Sequence, residues 1–242
     1  SPCDVGAEEP YANPTHMFGA ARHQPTPAGL RALLGPYIKS LSFWLICILS
    51  FGLTLIRETF NSWTPVYLTE VVGVEDATAA QVSALVPLAG GLSVLAAGWL
   101  TDRIAGSRGP IMFPALALLA VPLLALTQIP ADTELMLPVG LICTAMFLMI
   151  GPYSFLTGVI SLDFGGKQGA STAAGLVDSA GYLGGMVSGY GVGKLAEDYG
   201  WTTAFAFLAT IGLLSGAAAF AFWYVHERGP TLGDAEPSEA NA

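Results

Sequence analysis

Residues Phe43–Leu68 read FWLICILSFGLTLIRETFNSWTPVYL. The stretch is long enough to cross a bilayer as a helix, which takes about 20 predominantly apolar residues. In its middle stands Arg57. A cation at that depth costs roughly 3 kcal/mol on translocon scales. It rarely faces lipid, so it requires either a structural partner or a solute to bind.

The rest of the chain has the same character. Of its 242 residues, 53% are hydrophobic and 11% charged, against about 25% charged in a soluble domain. A window of about 19 residues finds apolar runs near 42–68, 81–104, 110–129, 135–161, 171–195 and 201–225. Helices are expected throughout, because an open strand leaves its backbone unpaired in lipid. The expected fold is therefore all-α: a polytopic membrane protein with a six-helix transmembrane bundle over residues 41–226. Polar breaks (EVVGVEDATA, DRIAGSRG, QIPADTE, DFGGKQG, EDYG) separate the runs. They are short, so consecutive helices are expected to be antiparallel and adjacent. Residues 1–40 read as a mostly disordered linker and 227–242 as a tail, rich in Pro, Ala, Glu and Gly without periodicity. Position 1 is Ser, and no signal peptide is expected from the polar, Pro-rich opening. The start reads as a linker or an internal cut.

Net charge is −9, which gives no footprint for nucleic acid. Its distribution is more informative. Arg22, Arg31, Lys39, Arg103, Arg108, Lys167 and Arg228 all fall on one side of the expected crossings. The other side holds Lys194 and many acids, including Glu70, Glu75, Asp76, Asp132, Glu134, Glu197 and Asp198. Positive charge marks the cytoplasmic side, so both termini are expected in the cytoplasm. Cys3, Cys47 and Cys143 show no disulfide or zinc spacing, and His16, His23 and His226 form no ligand set. No metal or cofactor is expected, and no nucleophile–base pair suggests an enzyme.

At about 3.6 residues per turn, Ser50, Thr54, Arg57, Asn61 and Thr64 fall on one stripe, with Glu58 beside it. The stripe suits a cavity wall, and the guanidinium fork suits phosphate or carboxylate oxygens. Adjacent helical residues point about 100° apart, so a direct Arg57–Glu58 pair is expected to be geometrically poor. Glu58 could instead balance charge or couple to protons. In the fifth run Gly181, Gly185, Gly189 and Gly193 recur every fourth residue, the spacing that lets another helix approach closely. Asp178 is a second intramembrane acid, able to answer Arg57 or carry a proton. Tyr182 follows one turn later. Gly151-Pro152-Tyr153 removes a backbone donor in the fourth run and is expected to kink it, with Tyr153 able to hydrogen-bond a solute or simply to pack.

The second run ends GWLTDRIAGSRG. There Gly98, Asp102, Arg103 and Arg108 resemble the cytoplasmic loop motif of the major facilitator superfamily, G-x3-D-[RK] followed by a basic residue. Three longer stretches are similar to the organophosphate:phosphate antiporters of that superfamily. Leu55–Leu68 resembles their seventh helix and Ile150–Tyr153 their tenth. Ser171–Gly175 with Gly181–Gly185 and Gly200-Trp201 resembles their eleventh helix and the loop after it. The resemblance implies helices seven to twelve of a half fold, with an N-terminal six-helix half as partner. It implies a bacterial inner-membrane antiporter exchanging an organophosphate for inorganic phosphate. Arg57 would then bind the phosphate. Asn61, Tyr153 and Tyr182 would offer hydrogen bonds, and Glu58 and Asp178 coupling or charge balance. Glu58 and Asp178 stand where the glycerol-3-phosphate members carry neutral residues, so a membrane sensor of sugar phosphates and a carboxylate transporter stay open beside the main reading.

Overall fold

The computed structural model describes residues 29–104, 108–130 and 133–227, and all regular structure there is helical. Of the segments expected as linker (1–40) and tail (227–242), residues 1–28 and 228–242 lie outside the described residues. The helices are α1 (Leu30–Lys39), α2 (Leu41–Glu70), α3 (Asp76–Ser83), α4 (Leu85–Arg103), α5 (Gly109–Leu126), α6 (Met136–Phe155), α7 (Ser161–Met186), α8 (Gly193–Tyr199) and α9 (Trp201–Phe222). Wider π turns follow α6 at Leu156–Ile160, α7 at Val187–Val192 and α9 at Trp223–Glu227. The turn after α6 lies just beyond Pro152, whose missing N–H leaves a carbonyl without its helical donor.

Among the described residues five helical stretches are long and apolar enough to cross a membrane: Leu41–Glu70, Asp76–Arg103, Gly109–Leu126, Met136–Gly165 and Trp201–His226. The sixth expected run, 171–195, is helical but outside that set. Its glycines, serines and Asp178 hold its hydropathy down. Two boundaries differ from expectation. Part of the N-terminal linker is ordered as α1, where Leu30, Leu33, Leu34 and Tyr37 follow a helical spacing that Gly35 and Pro36 disguise. Helical backbone also runs through 163–169, read above as a polar break. There Gly165 closes on Ala170 so tightly that a Cβ would strike its amide.

Local chemistry sets the other ends. Ser40 is extended between α1 and α2, and its hydroxyl accepts from the Phe43 N–H at 3.2 Å, capping α2. Gly200, at φ +84°, makes the corner between α8 and α9 that a side chain would resist.

Packing departs from simple sequence adjacency. The closest pairings are α5 with α9, α2 with α7 and α4 with α6, followed by α5 with α6 and α2 with α9. Of consecutive spanning helices only α5 and α6 pack extensively. A short loop ties two helix ends but leaves tilted helices to diverge and find other partners. Exchanging α2 with α6, α4 with α7 and α5 with α9 maps these five pairings onto themselves. The first three spans and the last three thus share one pairing pattern, although no internal repeat is legible in the sequence. The core runs along α2, α5 and α9, where Leu49, Leu53, Leu55, Ile56, Met112, Leu116, Leu119, Leu123, Leu208 and Ala219 are fully buried.

The two ends of the bundle differ in charge. At one end Tyr37 donates to the Gly169 carbonyl at 2.9 Å, and His226 stacks on Phe164 and Phe222 at 4.8 and 4.9 Å. Arg108 pairs with Asp163 there, and Lys39 and Arg103 end α1 and α4. Burial pushes the Tyr37 phenol up to about 12, so it remains a donor at any physiological pH. At the other end the Trp201 indole donates to Glu70 at 2.9 Å, near Glu75 and Asp76 at the start of α3.

Candidate functional site

The polar stripe of α2 is divided between two environments. Ser50 and Thr54 are buried against α7. The Ser50 hydroxyl donates to the Val177 carbonyl at 2.8 Å, and a Cβ on Gly181 would lie 2.8 Å from both hydroxyl oxygens. Thr64 is buried and turned back onto the Phe60 carbonyl. Arg57, Glu58 and Asn61 face the open side of the helix: the Arg57 and Glu58 side chains are 27% and 36% exposed, and Asn61 is exposed. The stripe expected as a continuous cavity wall is therefore a packing seam at one end and an accessible polar patch at its middle.

Arg57 and Glu58 pair directly, contrary to the expectation from backbone directions. Glu58 Oε1 accepts from Arg57 Nε at 3.0 Å and from Nη2 at 2.7 Å. Both side chains are long enough to turn toward each other beyond Cβ. The carboxylate takes the lateral Nε–Nη2 edge of the guanidinium. Among the described residues nothing hydrogen-bonds Nη1, so the outer Nη1–Nη2 edge still presents donors. The guanidinium also lies over the Tyr153 ring at 4.7 Å, a cation–π contact that holds its plane. The Tyr153 hydroxyl accepts weakly from Thr54 at 3.5 Å. The fourth crossing thus supplies, through Tyr153, the surface on which the cation of the first rests.

Asp178, Tyr182 and Asn61 make no hydrogen bond or ion pair to Arg57 among the described residues. Glu58, not Asp178, answers the cation. Asp178 is half-buried and Tyr182 is 71% exposed. They share a face of α7 with Gly185, where a Cβ would touch Glu58 Cγ at 3.4 Å. That face borders the Arg57–Glu58 patch without contacting the guanidinium.

The expected glycine face is partly displaced. Gly181 packs on Ser50 and Thr54, Gly185 on Glu58, and Gly193 against the Trp63 ring. Gly189 meets open space. Gly184 takes the close approach instead, its Cα against the Phe51 carbonyl, and Ser188 continues the seam with a 2.9 Å hydrogen bond to Thr59. A turn of about 3.6 residues drifts away from every fourth position, so the seam passes from Gly181 to Gly184 and Ser188; the wider turn at Val187–Val192 follows it.

At the basic end Gly98 is open, Asp102 is exposed, and the Arg103 guanidinium lies 4.0 Å over the Trp99 ring. Arg108 pairs with Asp163 at the start of α7. Asp163 is the partner of Arg108 that sequence reading did not single out; an acid beside Asp102 in a set of basic loops was the available signal. Among the described residues no group of three or more His, Cys, Asp or Glu could hold a metal.

Known proteins add to this geometry. A family model described as Major Facilitator Superfamily matches residues 6–189. The chain is 32% identical over 190 residues to "Membrane sensor protein UhpC" of Salmonella typhimurium, covering 77% of this chain and 40% of that protein. It is 31% identical over 194 residues to "Glycerol-3-phosphate transporter" of Haemophilus influenzae, covering 74% and 40%. To "Probable hexose phosphate transport protein" of Chlamydia trachomatis it is 27% identical over 200 residues, covering 82% and 44%. The chain spans about two-fifths of the length of these curated relatives. With its helical membrane architecture and a match over most of its length, the chain belongs to the Major Facilitator Superfamily.

Proposed function

We propose that this chain is the C-terminal half of a secondary transporter that exchanges a small organophosphate for inorganic phosphate by alternating access. One observation carries the reading. A guanidinium sits midway along the spanning helix α2, fixed by Glu58 on one edge and by the Tyr153 face, with donors left on its outer edge. That edge suits two oxygens of a phosphate. Glu58 neutralises the cation while the site is empty, and an arriving phosphate competes with it for Nη2. Asn61 and Tyr182 hydrogen-bond the rest of the solute, and Asp178 adds charge balance. The Arg57–Glu58 pair is neutral overall, so a dianion draws on a further cation from an N-terminal six-helix half packed against this face. Names of relatives that carry hexose phosphate or glycerol 3-phosphate support the substrate class.

The charge segregation of the bundle supports the basic end, with both termini, on the cytoplasmic side of a bacterial inner membrane. The Arg103–Trp99 and Arg108–Asp163 contacts, with Gly98 and Asp102, form a gating cluster at that end. Rocking of the two halves opens and closes it.

The test is uptake of labelled glycerol 3-phosphate or glucose 6-phosphate into phosphate-loaded proteoliposomes by the full-length protein. Arg57→Lys is expected to lower kcat/KM about ten- to hundred-fold, since an ammonium cannot reproduce the fork. Near-normal uptake by that variant overturns the assignment. Competition by carboxylates instead of phosphates identifies an organic-anion carrier. Similarity to a membrane sensor favours one second reading, a receptor of the same fold; saturable binding without flux selects it.

A further inference from the structure

We propose that α1 and the first turns of α2 form a membrane-surface site for acidic lipid headgroups. The roll of α1 is fixed by Tyr37, which is fully buried, bonded to the Gly169 carbonyl at 2.9 Å and packed on Phe43 at 4.9 Å. With that side turned inward, the other is open. Arg31 and Ile38, seven residues apart, share it, and Lys39 borders it; all three are exposed. The Trp44 indole N–H donates to the Ile38 carbonyl at 2.9 Å and so pins the end of α1 to α2.

The open side continues into the apolar stripe of a spanning helix. Leu41, Trp44 and Ile48 recur at helical spacing and are 64%, 51% and 53% exposed. Their helix runs from Leu41 to Glu70 and has the length and apolarity of a crossing. Arg31 and Lys39 therefore stand where that crossing leaves the hydrocarbon, beside a tryptophan with an apolar ring and a bonded N–H, the pattern of an interfacial anchor. Residues 29–48, GLRALLGPYIKSLSFWLICI, contain no Asp or Glu. Neither cation has a carboxylate within its own segment, and among the described residues no ion pair joins either to Asp102 or Asp163, which leaves lipid phosphate to supply the complementary charge. A free anion would leave Ile38, Leu41 and Ile48 in water. A lipid covers them with its chains while its headgroup meets the cations. The inference is independent of any solute at Arg57.

The experiment places the chain in nanodiscs of mixed phosphatidylcholine and phosphatidylglycerol. It then measures, by mass spectrometry after mild delipidation, the ratio of phosphatidylglycerol to phosphatidylcholine retained. Wild type is expected to enrich phosphatidylglycerol. Each of Arg31→Gln and Lys39→Gln is expected to lower the enrichment about five-fold. Arg31→Lys with Lys39→Arg, which keeps both charges, should retain it and controls for folding. Added inorganic phosphate should not displace the lipid. An unchanged ratio in the Gln variants, or displacement by inorganic phosphate as effective as by lipid, overturns the proposal.

Discussion

The α2–α7 and α4–α6 pairs occupy equivalent places in the bundle and are closed by the same device. In the first, Ser50 on α2 donates to the Val177 carbonyl, and Gly181, four residues on, leaves room for the hydroxyl. In the second, Ser93 on α4 donates to the Phe147 carbonyl, and Gly151, four residues on, donates its N–H back to Ser93 at 2.8 Å. Each serine sits against one turn of its neighbour, beside a glycine that lacks the Cβ to block it. Such small, hydrogen-bonded contacts are what hold helices together where lipid removes the hydrophobic drive. What differs is the chemistry added to the scaffold. Two turns beyond Ser50, α2 carries Arg57 and Glu58. The equivalent helix α6 carries no charge and lends only the Tyr153 ring. The serine sits on α2 in one pair and on α4, the counterpart of α7, in the other, so the device is shared while the helices exchange roles; the charge on α2 sets the first pair apart.

The largest expected effect comes from destroying one seam and leaving the other. At Gly184 a Cβ would strike the Phe51 carbonyl, which is backbone and cannot swing aside. Gly184→Leu is expected to cost roughly 3 kcal/mol or more, read as a lowered thermal midpoint in detergent. A midpoint equal to wild type would mean that α2 and α7 are not in close contact. Next come the two serines. Ser50 makes one bond across its seam and Ser93 makes two. Ser50→Ala is expected to cost about 1 kcal/mol and Ser93→Ala about 2. Equal costs would show that the Gly151 N–H recovers its helical carbonyl when the serine is gone.

The sequence made parts of this comparison legible. Hydropathy located the five stretches long and apolar enough to cross a membrane, because twenty apolar residues in a row have few alternatives; it missed the start of α7 at Ser161 by ten residues. The glycine run announced a close-packed face, and a lone arginine among leucines announced the candidate site. The rest depended on information that spacing does not carry. Fourfold spacing put Gly189 on the seam because it ignored the drift of a turn of about 3.6 residues; the contact follows Gly181, Gly184 and Ser188 instead. Backbone directions argued against an Arg57–Glu58 pair because they ignore how far two long side chains reach past Cβ. Short loops suggested adjacent neighbours because loop length constrains helix ends and not their middles. In α1, Gly35 and Pro36 masked a spacing that Tyr37 completes.

Removing the charge that sets the first pair apart sharpens the comparison further. Glu58→Gln keeps the shape of the patch and frees Arg57 from a competing anion. Substrate affinity of the full-length protein is expected to rise about three-fold, the worth of one partly exposed ion pair. An affinity loss instead would make Glu58 a positioning partner that the substrate needs.

The smallest expected effect tests where the open side of α7 lies. Gly189 stands in the π turn with nothing within 4 Å of an added Cβ, while Gly184, five residues earlier, has no room at all. Replacing a helical glycine with alanine removes backbone freedom from the unfolded chain and stabilises by roughly 0.5 kcal/mol where the space is free. For this chain, Gly189→Ala should therefore raise the thermal midpoint slightly, the opposite sign to Gly184→Leu. In a full-length transporter the same face would meet the second half, and the added methyl should then slow exchange while leaving equilibrium binding at Arg57 unchanged. A destabilised chain on its own would place Gly189 back on the packed seam and remove the distinction between the two glycines.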